Sequence, residues 1–319
     1  MARCARYARR TLEIASKATK HSEAYEEMNL TRRNFLKYSF RGFVAATLGK
    51  GYYNTTGGQV ELVRVPVKIK NLPASLQGLK IGFLTDFHSS FIVSRGLIKT
   101  AGDLIMSERP DIIVLTGDFI SGSTKFLSGS IGEFKPQYLE RCAAALSQLK
   151  APLGIYGVLG NHDFWSGPAS VAAICDTLSK RIGVTWLRNT HVELKKTGAS
   201  FHLLGVDDYW ESSCSLSAAC KGINRESIKI LLSHNPDIND DISLSKERID
   251  LVLSGHTHGG QVVVPFIGQP VMPSKFGQKY REGLVRDGER QTYVSRGVGC
   301  LLAPIRLNCM PEATVLTLA

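Results

Sequence analysis

The chain contains no C-x-x-C pair, and its seven cysteines (Cys4, Cys142, Cys175, Cys214, Cys220, Cys300 and Cys309) form an odd set. That excludes a disulfide framework and a thiolate zinc site as organising features. Buried free thiols in a reducing compartment are the expectation. Long apolar runs near the amino terminus are also missing. Between Arg41 and Lys50 only residues 42–49 are uncharged, and eight residues cannot cross a bilayer, which needs about 20. No A-x-A cleavage site follows, and no internal repeat is present. An evenly basic surface is lacking too. The net charge is +11, but residues 1–50 carry +7 of it and the remaining 269 only +4. A near-balanced body argues against tight nucleic-acid binding. A basic leader suits an anionic membrane surface.

What is present is enough for a sizeable core. Hydrophobic residues make up 43% of 319 positions. Residues 1–59 read as a basic leader with a Gly/Asn/Thr-rich linker at 51–59, and residues 60–319 as the folded body. The leader holds TRRNFLK at 31–37, similar to a twin-arginine export signal. Phe35, Leu36, Tyr38, Phe40, Phe43, Val44 and Leu48 follow among basic residues, and are expected to form a short amphipathic anchor lying in a membrane interface. Met28 is a possible alternative start. Two outcomes are open: attachment to the cytoplasmic face of the inner membrane, or export to the periplasm.

From Val60 the text alternates strand and helix signals. Residues 60–69 read as a sheet-edge strand, and 79–85, 111–116, 153–159, 201–206, 228–233 and 251–254 as further strands. Residues 94–107, 136–150 and 168–180 have helical spacing, with Ser94 as an N-cap. Residues 261–264, 283–286, 292–295 and 314–318 read as later, antiparallel strands. Early βα alternation followed by strand-rich text predicts an α/β sandwich of two mixed sheets flanked by helices. Two loops, 119–135 and 208–222, carry apolar residues, among them Phe119, Phe126, Phe134, Tyr209 and Trp210, and are expected near a site or a partner.

Five apolar runs end in residues able to bind a metal. IGFLTD leads to Asp86 and His88, DIIVLTGD to Asp118, and GIYGVLGNHD to Asn161 and His162. IKILLSH leads to His234, and DLVLSGHTH to His256 and His258. Ligands in α/β sheets bind beyond the carboxyl ends of strands. Oxygen and imidazole donors without thiolate suit Mn²⁺, Fe²⁺ or Zn²⁺. A carboxylate has two oxygens, so one Asp can bridge two ions, and an ion pair can clamp a phosphate and activate water.

This ordered set resembles the calcineurin-like metallophosphoesterase superfamily from about Leu79 to the carboxyl terminus. The resemblance implies two divalent ions, with Mn²⁺ favoured. One would take Asp86, His88, Asp118 and His258. The other would take Asp118, Asn161, His234 and His256. His162 would be the general acid and Asp163 would orient it. GHTHGGQVVVP, KYREGL, SRGVG and RLNCMPEATVLTL resemble YaeI-type phosphodiesterases, one branch of which is similar to UDP-2,3-diacylglucosamine pyrophosphohydrolases of lipid A synthesis. The resemblance then implies a UDP-linked glycolipid substrate, while the basic leader points to a membrane surface as partner and the near-balanced body to no nucleic acid. Lys279, Arg281 and Arg296 are candidates to hold phosphate charge. The alternatives are an exported phosphodiesterase or phosphatase of broad specificity and a non-catalytic scaffold.

Overall fold

The computed structural model describes residues 32–56, 59–122, 134–245, 247–264, 266, 268–269, 272–301 and 303–319. Phe126 of the first apolar loop, Met28 and Cys4 lie outside these. Helix α1 (Arg32–Thr56) runs through much of the stretch read as linker. Phe35, Leu36, Tyr38, Phe40, Phe43 and Val44 are exposed on it. At 100° per residue they spread around more than half of its circumference, Arg33 lies within that arc, and Lys37 and Arg41 occupy the gap it leaves. The apolar and basic side chains are therefore only partly segregated on this helix. No described helix is long and apolar enough to cross a membrane.

The body is built on two six-stranded sheets. The first contains β1 (Glu61–Val67), β2 (Lys80–Leu84), β3 (Ile112–Thr116), β4 (Ile155–Val158), β5 (Val184–Trp186) and the last strand, β12 (Glu312–Leu318). Its order is β1-β12-β2-β3-β4-β5, with β2 to β5 mutually parallel and β12 antiparallel to β2. The second contains β6 (Thr190–Lys196), β7 (Ala199–Gly205), β8 (Lys229–Leu232), β9 (Leu251–Ser254), β10 (Gly283–Asp287) and β11 (Arg290–Val294), in the order β10-β11-β9-β8-β7-β6. Here β7, β8, β9 and β11 are parallel, and antiparallel strands close both edges.

Period-2 alternation decides which layer each strand residue joins. Ile113 and Leu115 of β3 pack with Leu97, Ile98 and Ile105 of α2 (Arg95–Ser107) and Leu139 and Ala143 of α3 (Pro136–Leu146). Ile112 and Val114, facing the other way, join Phe83, Phe201, Leu203, Ile230 and Leu253 between the sheets. A third cluster packs Leu231 and Val252 against Leu216, Ala219 and Ile242. The result is four layers, α/β/β/α, in which central strands are buried on both faces and read as unbroken apolar runs.

The Ser94 hydroxyl accepts the Leu97 N–H and caps α2 as expected. Three readings are corrected. Residues 261–264 form no strand; Val262 and Val264 make only isolated bridges. The late strands are not simply antiparallel, since β11 runs parallel to β9 and β12 parallel to β1. Strands β5 and β6 went unread, because β5 has three residues and THVELKK in β6 is polar and only partly buried. The described cysteines are all free, and Cys142, Cys220, Cys300 and Cys309 are buried.

Candidate metal centre

Five strands deliver the candidate ligands to one end of the sandwich. Asp86 and His88 follow β2, Asp118 follows β3, and Asn161 and His162 open the five-residue helix α4 (Asn161–Trp165) after β4. His234 follows β8, and His256 and His258 follow β9. The chain turns sharply at these ends. Asp86, His88, Asp118, His256 and His258 all adopt positive φ, between 45° and 71°. Each costs about 1 kcal/mol or more for a residue with a Cβ, and such strain collects at functional sites. The turn after β4 needs Gly160, because a Cβ there would run into Asp118 Oδ1 and lie 2.8 Å from His234 Cε1.

Hydrogen bonds cross between the sheets and lock this arrangement. His234 Nδ1 donates to the Thr116 carbonyl at 2.6 Å, which leaves Nε2 facing the centre. The His256 N–H donates to the Asp86 carboxylate at 3.0 Å, and the His162 N–H to Asp118 Oδ1 at 2.9 Å. Asp163 has a different job from the one expected. Its oxygens accept the N–H groups of Gly160, Asp118 and Phe119, each at 2.9 Å, and so fix the turn that presents Asp118. The His162 ring is oriented instead by the Ser121 carbonyl, which accepts from Nδ1 at 2.5 Å.

All eight predicted residues come together. Asp118 Oδ2 lies 3.3 Å from His88 Nε2 and 3.2 Å from His234 Nε2. On one side, His258 Nε2 is 3.0 Å from His88 Nε2 and 3.4 Å from Asp86 Oδ1. On the other, Asn161 Oδ1 is 3.2 Å from His234 Nε2 and 3.0 Å from His256 Nδ1. Donors held about 2.1 Å from one ion stand about 3.0–3.4 Å apart in octahedral or tetrahedral geometry. The spacing therefore fits two cations sharing Asp118.

The charge states fit as well. Burial pushes His88 and His258 well below the ordinary imidazole value and His256 down to about 3, so these rings are neutral donors. Burial raises Asp86 to about 6. Burial alone would raise Asp118 also, but the imidazoles of His234 and His162 hold it well below its usual range. Its partner answers in kind. Burial disfavours a charged His234, yet Asp118, Asp86 and Asp208 overcome this and raise it to about 10. A buried imidazolium against a carboxylate is the arrangement a divalent cation would replace.

A family model described as calcineurin-like phosphoesterase matches residues 79–260. The chain belongs to that family. It is thus a metal-dependent phosphoesterase of the YaeI-type branch. It is 33% identical to phosphodiesterase YaeI of Escherichia coli K12 over 91% of this chain and 99% of that one. It is 30% identical to an uncharacterized metallophosphoesterase, YkuE, of Bacillus subtilis 168 over 91% and 98% of the two chains. An uncharacterized metallophosphoesterase of Aquifex aeolicus is 29% identical over 86% and 98%.

The other cations that the sequence offered for phosphate already have partners. Arg296 pairs with Glu312 at 2.6 Å and Glu61 at 2.8 Å, Arg281 with Glu282 at 2.5 Å, and Lys279 with Asp287 at 3.4 Å. Their charges are already engaged. His191 and His202, which the sequence did not single out, stand edge-on to each other on β6 and β7, ring centres 5.5 Å apart. Arg306, the first residue of RLNCMPEATVLTL, has a role at the metal centre that the sequence did not assign. It is fully buried, lies with Nη2 3.2 Å from His258 Nδ1, and donates to the carbonyls of Gly299 and Arg296 at 2.8 Å. A lone arginine in a C-terminal segment carries no local signal of that role.

Proposed function

We propose that this phosphoesterase is a dinuclear phosphodiesterase that hydrolyses the pyrophosphate of UDP-2,3-diacylglucosamine, giving UMP and 2,3-diacylglucosamine 1-phosphate. The observation that carries the hydrolytic part is the placement of Asp118 between two donor sets. In this reading Asp86, His88, Asp118 and His258 hold one ion, and Asp118, Asn161, His234 and His256 the other, with Mn²⁺ favoured. Bound divalent cations supply Lewis acidity, neutralising phosphate charge and activating water. The water oxygen bonds to the α-phosphorus and the bond to the bridging oxygen breaks. His162 supplies a proton at Nε2, since its Nδ1 is engaged by Ser121. Burial lowers the His162 pKa, and an incoming phosphate anion raises it again.

The lipid part rests on α1. Its exposed aromatic and apolar side chains among Arg33, Lys37 and Arg41 suit a charged membrane surface, where a diacylated substrate resides. Attachment to the cytoplasmic face of the inner membrane follows, because UDP-sugars are cytoplasmic. The TRRNFLK motif favours a second reading, an exported phosphodiesterase of broad specificity.

Purified protein with Mn²⁺ is expected to release UMP from UDP-2,3-diacylglucosamine. His162→Ala should lower the rate at least 100-fold and leave Mn²⁺ affinity within about threefold. Good hydrolysis of a simple phosphodiester with no release of UMP would favour the second reading.

A further inference from the structure

The chain has three tryptophans, and two of them rest on imidazoles of the centre. The Trp165 ring lies 3.8 Å from the His162 ring, with planes 39° apart. The Trp210 ring lies 4.3 Å from that of His256, with planes 89° apart. The third, Trp186, packs edge-on against Phe119 and donates to the Cys175 carbonyl, within the body.

The two rim indoles come from separate segments but share one anchor. Trp165 Nε1 donates to Glu211 Oε1 at 2.9 Å. Glu211 follows Trp210 directly, and Oδ1 of the buried Asp208 accepts the N–H groups of both at 2.9 Å. The turn is therefore fixed, and yet Trp210 keeps 48% of its surface exposed. Hydrolysis does not call for either ring. An indole is a donor only, so it can neither ligate a cation nor carry a proton to a leaving group. What it offers is a flat π surface, on which a base stacks without regard to the rest of the ligand. The neighbouring carboxylate of Glu211 favours a partner with ring N–H donors over an alkyl chain, for which a nearby charge is a poor environment.

We infer that Trp165, Trp210 and Glu211 form a binding site for the nucleobase of a nucleotide-linked phosphoester, and so select the substrate. The inference rests on the reading of the chain as a UDP-linked pyrophosphohydrolase.

The test is titration of the Mn²⁺-loaded full-length protein with UMP, ribose 5-phosphate and inorganic phosphate, by calorimetry and by indole fluorescence in a Trp186→Phe background. UMP should bind about tenfold or more tighter than ribose 5-phosphate and should alone quench the fluorescence. Trp210→Ala should remove that preference, leaving the inorganic phosphate affinity within about twofold. Trp210→Phe should restore most of it. Trp165→Phe, which keeps a ring beside His162, guards against a disturbed centre. Equal binding of UMP and ribose 5-phosphate by the unmodified rim would overturn the inference. So would a Trp210→Ala variant that loses phosphate and UMP affinity alike, or one that keeps the preference for UMP over ribose 5-phosphate. Base selectivity without turnover of UDP-2,3-diacylglucosamine would sink the lipid reading alone. Turnover without base selectivity would sink the base site alone.

Discussion

Loading the metal centre should expel a proton, and the structure says which one. In the metal-free protein His234 is held at about 10 against Asp118, so it carries a proton at neutral pH. His256 at about 3, and His88 and His258 well below the ordinary value, carry none. Asp86, at about 6, is mostly ionised above neutrality. A cation that takes His234 Nε2 must displace its proton. Between pH 7 and pH 9 one proton should leave per protein. The affinity of the ion bound by His234 should then rise about tenfold per pH unit, equivalent to about 1.4 kcal/mol, or about 100-fold across that window. Below about pH 6 Asp86 adds a second proton. Calorimetric titration with Zn²⁺ or Mn²⁺ in two buffers of unlike ionisation enthalpy counts these protons directly. Asp118→Asn keeps the shape but removes the charge that raises His234, so proton release at pH 8 should fall towards zero. Stability must follow the same linkage. The unfolded chain gives up its histidine proton near pH 6.5, while the folded chain keeps it until about 10. This contribution is therefore fully present below about pH 6.5 and lost as pH rises through 10. The metal-free protein should melt lower at pH 9 than at pH 7. Metal affinity that is flat from pH 7 to pH 9, with no proton released, would refute the assigned charge states.

Two further outcomes test the scaffold. Phe83 is fully buried between the sheets, 6.3 Å edge-on from Tyr293. Phe83→Ala should cost about 3–5 kcal/mol, read as a lowered midpoint in urea unfolding. Gly160→Ala places a methyl group against Asp118 Oδ1 and the His234 ring. It should weaken metal binding at least 100-fold, about 2.7 kcal/mol, with the circular dichroism spectrum unchanged; wild-type metal affinity would show that the turn has room that the geometry denies it.

Some of this was legible in the chain itself. Apolar runs such as DIIVLTGD and DLVLSGHTH announce strands buried on both faces, and each places its donors immediately after the run. Strand existence is a local property, written in side-chain periodicity, and so is the Ser94 cap. The identities and order of Asp86, His88, Asp118, Asn161, His162, His234, His256 and His258 needed no coordinates. Pairing is not local. That β12 inserts between β1 and β2, or that β11 runs beside β9, depends on contacts between distant segments, and the short or polar strands β5 and β6 give too little periodicity to be seen.

The same division runs through the centre. Which donors the protein owns, and that they sit at strand ends, is written in the chain. Folding brings those ends from two sheets to one point, with Asp118 Oδ2 3.3 Å from His88 and 3.2 Å from His234. It also decided what each polar group does with its hydrogen bonds: Asp163 holds a backbone turn, Arg306 braces His258, and Arg296 is bound to glutamates. The physical reason is that a side chain's chemistry is fixed by its covalent structure, whereas its charge state and partners are set by burial and by neighbours brought from elsewhere in the chain.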